Sequence, residues 1–172
     1  MHIIIIQIFY GGFMDLIDAA QKGNLNVIKS ILDKGTDINA KDSFGASALA
    51  RASIWGHTDI AKLLIANGAD VNTKDDSGIS ALMTASSNGH KEIVRLLIEN
   101  GADINVKDNA NGWTALIWAS SKGHTETVKI LIENGANVNI ASNNGLTALK
   151  HAKANYRKEI VEILEKAQNQ DL

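Results

Sequence analysis

The chain has 172 residues, 45% of them apolar and 21% charged, which suits one well-buried globular domain. A formal net charge of -2 offers no basic field to neutralise a run of phosphates, which argues against DNA or RNA as a partner. With no cysteine there is no disulfide framework, no thiolate nucleophile and no zinc site of the cysteine type.

Residues 1–13 stand apart, because Ile3 to Ile6, Ile8, Phe9 and Tyr10 form an apolar run unlike anything later. The run is too short to cross a bilayer, so no transmembrane anchor is expected. It also lacks the Lys or Arg that precedes the apolar region of a secretory signal. Three readings stay open: a signal segment, sequence translated upstream of a start at Met14, or an apolar strand laid on the first unit.

From Met14 onward the chain alternates helical and turn signals. A first unit, 14–40, opens directly on a helix. In 41–73, Asp42-Ser43-Phe44-Gly45 places Asp first and Gly fourth, the preference of a type I turn. A short small-faced helix with Ala48, Leu49 and Ala52 follows, then Gly56, then Ile60, Leu63 and Leu64 at helical spacing, closed by Gly68. Residues 74–106 repeat this plan with Asp75 to Gly78, then Ala81, Leu82 and Ala85, Gly89, Ile93, Leu96 and Leu97, and Gly101. Residues 107–140 repeat it again with Gly112, Ala115, Leu116 and Ala119, Gly123, Val128, Leu131 and Ile132, and Gly135. The period is 33 residues, as in Gly89 after Gly56, and it lengthens to 34 between Gly78 and Gly112. The extra residue falls between Val106 and Gly112, in a loop that tolerates it.

The unit Asp-x-x-Gly-x-Ser/Thr-x-Leu-x-x-Ala, Gly-His, Leu-Leu, Asn-Gly-Ala-Asp-Val-Asn resembles the ankyrin repeat, over residues 14 to about 167. The resemblance implies an all-α solenoid of stacked helix-turn-helix units joined by β-hairpin loops. Where the family has Thr-Pro-Leu-His, this chain has Ser47-Ala48-Leu49-Ala50, Ser80-Ala81-Leu82-Met83, Thr114-Ala115-Leu116-Ile117 and Thr147-Ala148-Leu149-Lys150. The fold is expected to survive this change, since Ala is a good helix former at the first turn. Five units result: an N-cap at 14–40, full repeats at 41–73, 74–106 and 107–140, and a C-cap at 141–172. In the last, Tyr156 and Arg157 replace Gly-His, and Glu165 replaces Ile65, Ile98 and Ile132. A polar residue suits a face on which no further unit stacks.

No residues converge on chemistry. His57, His90 and His124 recur once per unit about one helix-layer spacing apart, near 10 Å, too far to share an ion. Each is expected to bond loop backbone and steady a helix start. Asp37, Asp70 and Asp103, and Asn39, Asn72 and Asn105, recur as loop scaffold. The chain is therefore expected to be no enzyme and to need no metal, cofactor or small-molecule substrate.

Positions that differ between repeats are free of architectural demand, which makes them the candidate interface. At the hairpin tips these include Phe44, Asp76, Ile79, Asn111, Trp113 and Asn144. On the first helix of each unit they include Arg51, Ile54, Trp55, Thr84, Asn88, Trp118, Lys122 and His151. In the ankyrin family these two surfaces together line a concave groove. The resemblance thus implies a protein-protein interaction module, with Trp55 and Trp118 as anchors and Trp113 divided between the partner and the neighbouring hairpin. A monomer in the cytoplasm is expected. The alternatives are a secreted effector and a structural protein that self-associates through residues 1–13.

Overall fold

The computed structural model describes residues 14–170, so the three readings of residues 1–13 lie outside the described residues. Among the described residues ten helices follow one another in pairs. They are α1 (Leu16–Gln21), α2 (Leu25–Leu32), α3 (Ala48–Trp55), α4 (Thr58–Ala66), α5 (Ala81–Asn88), α6 (Lys91–Glu99), α7 (Ala115–Lys122), α8 (Thr125–Glu133), α9 (Ala148–Ala154) and α10 (Lys158–Gln170).

The first four pairs begin at a side-chain cap, whereas Thr147, at the start of the fifth, makes no such bond. Asp15 accepts from the Asp18 N–H at 2.8 Å, and the hydroxyls of Ser47, Ser80 and Thr114 accept from Ala50, Met83 and Ile117 at 3.3 Å each. A Ser or Thr cap satisfies one of the four N–H groups that a helix start leaves free. The odd-numbered helices stack on one another in one layer, and the even-numbered helices form a second layer behind them. Alanines at 48, 52, 81, 85, 115, 119, 148 and 152 are all buried. They have no side chain beyond Cβ, which lets the odd-numbered helices approach closely. The larger Ile60, Leu64, Ile93, Leu97, Val128, Leu131, Ile160 and Leu164 fill the space between layers.

Stacking is reinforced by bonds that step from one unit to the next. His57 Nε2 donates to the Gln21 carbonyl at 3.2 Å, His90 to Ile54 at 3.0 Å and His124 to Ser87 at 3.0 Å. The imidazoles therefore tie units together and make no cap bond to their own helices, contrary to the expected helix-start role. Asn39, Asn72 and Asn105 accept through Oδ1 from the N–H of Asp70, Asp103 and Asn137 at 2.9, 2.8 and 2.8 Å. Where the family's histidine follows the first-helix Leu, this chain buries Met83 and Ile117, so packing replaces a polar contact. The expected β-hairpins reduce to single antiparallel bridges, Lys41 with Ser47, Lys74 with Ser80 and Ala141 with Thr147. Among the described residues there is no strand.

The last unit breaks one rule. The link between paired helices adopts the left-handed region at Gly23, Gly56, Gly89 and Gly123, and Tyr156 holds it too with φ 58°. A Cβ in that region crowds the following carbonyl at a cost of about 1–2 kcal/mol. Tyr156→Gly is therefore expected to raise the melting temperature by about 2–8 °C, read by circular dichroism. Glu165 is exposed and pairs with Lys153 at 2.7 Å, consistent with an end face.

Candidate functional site

Successive hairpins form a ribbon, each tied to the previous one by a backbone bond: Asp76 N–H to the Phe44 carbonyl, Asn109 to Ser77, and Asn143 to Asn111, at 3.1, 2.9 and 2.8 Å. The ribbon runs alongside the odd-numbered helices. Between the first two hairpins and helices α3 and α5 lies a groove of about 380 Å³, lined by Phe44, Ala46, Ala50, Arg51, Ile54, Asp75, Asp76, Ser77, Ile79 and Thr84. Six residues singled out from the sequence, Phe44, Arg51, Ile54, Asp76, Ile79 and Thr84, meet there.

The groove is polar at its edges and apolar at its floor. Phe44 is 69% exposed at the tip, while Ile54 and Ile79 are half-buried beneath. Arg51 is committed within the chain: its Nε donates to Asp42 Oδ2 at 2.9 Å, a second nitrogen bonds the same oxygen, and its guanidinium lies 6.0 Å from the Phe44 ring centroid. Burial pushes the Asp42 carboxyl up. The Arg51 bond and the N–H groups of Phe44 and Ala46 outweigh it and hold the group below its ordinary value.

The three tryptophans have different surroundings. Trp55, at the end of α3, is 59% exposed. It heads a row of helix-end positions continued by Asn88, Lys122 and Asn155, all exposed. Trp113 and Trp118 stack edge to face with centroids 4.5 Å apart, and Trp118 Nε1 donates to Asp108 Oδ2 at 3.1 Å. Both are half-buried, so much of their surface serves the fold. Asn111 and Asn144 are exposed at the third and fourth tips.

His151 corrects the expectation of an exposed helix face, since it is only 6% exposed. Trp113 covers it with centroids 4.6 Å apart, because the bulky ring at that hairpin position reaches over the next unit. Its Nε2 is buried without a hydrogen-bond partner, and burial lowers its pKa from the ordinary 6.5. The folded state therefore holds it neutral, whereas the unfolded chain takes up a proton below about pH 6.5. The stability this residue allows is complete above that pH and falls as pH drops toward the lower folded value. Between pH 7.5 and 5 the melting temperature is expected to fall further in the native chain than in His151→Leu.

Sequence reasoning overlooked Asp75 as a groove element, and Asp42 and Asp108 as the matching hairpin carboxylates that accept from the following helix. Their signal was present: the register positions opposite them, Arg51, Thr84 and Trp118, differ in hydrogen-bonding capacity.

Among the described residues no helix is long and apolar enough to cross a membrane. No curated protein matches this chain. Ankyrin repeats are generally protein-protein interaction modules, in a family that is typically non-enzymatic. The family model for ankyrin repeats (3 copies) matches residues 16–108 and again 106–172, and on that match the chain belongs to the ankyrin-repeat family.

Proposed function

We propose that this chain binds a partner protein through the concave groove of its hairpin tips and odd-numbered helices, without catalysing a reaction. The observation that carries the reading is the pairing of Phe44 and Trp55. Both are large, rigid and mostly exposed, and both belong to the second unit, Phe44 on the wall of the groove and Trp55 on the adjoining helix end. Aromatic side chains in such positions lose little entropy on burial and dominate interface energies. Contact is therefore centred on the second and third units, while the polar tips at Asn111 and Asn144 and the Lys122 row form its rim.

Affinity capture from the native host, followed by binding measurements with the captured protein, tests this. Phe44→Ala and Trp55→Ala are each expected to weaken binding about 30-fold, the equivalent of a 2 kcal/mol hot spot, with an unchanged melting temperature. Unaltered affinity in both variants would sink the proposal. The exposure of both rings makes an effect on folding small.

A further inference from the structure

The first three hairpins share one carboxylate and vary its donor. In each, Oδ1 accepts two backbone N–H groups of the same tip: Phe44 and Ala46 on Asp42, Ser77 and Ile79 on Asp75, Asn111 and Gly112 on Asp108. The other oxygen is served from the helix that follows. Arg51 donates to Asp42 Oδ2, and Trp118, at the matching register position one full repeat beyond Thr84, donates to Asp108 Oδ2. In the second hairpin that position is Thr84, whose hydroxyl turns back to the Ala81 carbonyl at 2.9 Å. Among the described residues nothing donates to Asp75 Oδ2.

Asp75 stands on the wall of the groove, beside exposed Asp76 and the apolar Phe44, Ile54 and Ile79. Arg51 and Asp42 neutralise each other, so the groove's own charge comes from Asp75 and Asp76 and is negative. We infer that the groove takes an arginine side chain of the partner protein, its guanidinium on Asp75 Oδ2 and its aliphatic stem along Ile54 and Ile79. Arg51 on Asp42, one repeat earlier, is the template for this pairing within the same chain. Arginine suits it because its planar fork binds a carboxylate directionally while its stem covers apolar surface. This inference rests on the groove reading above and adds the chemistry of what enters it.

The test uses the full chain as bait for a phage-displayed random dodecapeptide library. Enriched peptides are expected to share an arginine, and a synthetic peptide with that arginine replaced by glutamine is expected to bind at least ~10-fold more weakly by fluorescence polarisation. The penalty should vanish on Asp75→Asn, whose amide oxygen still accepts from Ser77 and Ile79. Thr84→Arg supplies the guanidinium from within and is expected to weaken the arginine peptide about as much, while raising the melting temperature. Enriched peptides without arginine, or an equal penalty on native chain and Asp75→Asn, would overturn the inference. If those peptides still lose affinity on Phe44→Ala, the groove reading stands without it. If no peptide is enriched, or none responds to Phe44→Ala, both fall.

Discussion

Leu82→Ala is expected to destabilise the fold by about 3 kcal/mol, lowering the melting temperature by about 6–12 °C. Leu82 is fully buried on α5, which packs against α3 on one side and α7 on the other. Removing its isobutyl end leaves a cavity that three alanine-rich helices, already in close contact, cannot collapse to fill. In a linear array each unit is held only by its neighbours, so damage at the centre weakens two interfaces at once. Urea unfolding followed by circular dichroism should therefore show a broadened transition as the two halves uncouple. Ile160→Ala, an equally buried deletion in the terminal α10, is expected to fray one end and leave the main transition sharp. Equal broadening in both variants would show that the array does not behave as nearest-neighbour units.

Asp108→Ala is expected to cost about 3 kcal/mol, and Asp108→Asn roughly half as much. The carboxylate is 4% exposed and accepts three bonds, from Asn111 N–H at 2.7 Å, Gly112 N–H at 3.0 Å and Trp118 Nε1 at 3.1 Å. Alanine leaves all three donors unmet in a buried loop, where each lost partner costs about 1–3 kcal/mol before relaxation. Asparagine keeps one oxygen, which serves the two tip N–H groups or the indole N–H, while its own amide hydrogens oppose the rest. The same substitution at Asp42 is expected to cost less, because that carboxylate and its Arg51 partner are partly exposed. Urea titration gives the order, and near-ultraviolet circular dichroism of the Trp113–Trp118 pair should weaken with it. A smaller loss at Asp108 than at Asp42 would contradict the bonding described.

Asp108 also shows how the additional loop residue is absorbed. In the other hairpins the residue that opens the tip closes its backbone bond four positions on, Asp42 to Ala46, Asp75 to Ile79 and Ser142 to Leu146, whereas Asp108 closes on Trp113. The longer tip closes on Trp113, whose ring lies against His151, and the histidine expected at the surface is buried.

The amino-acid sequence by itself determined the period, the paired helices, the caps and the buried Ala and Leu faces, because those depend on residues three or four apart and recur in every unit. Only the tertiary structure decided that Trp113 and Trp118 turn on each other, that His57, His90 and His124 reach the preceding unit, and that Arg51 serves Asp42 Oδ2 while, among the described residues, Asp75 Oδ2 is left without a donor. Periodicity assigns a side chain to a face, but a hydrogen bond depends on which neighbouring side chain arrives first. The neighbours that matter lie a hairpin or a whole repeat away, where rotamer and volume outweigh spacing.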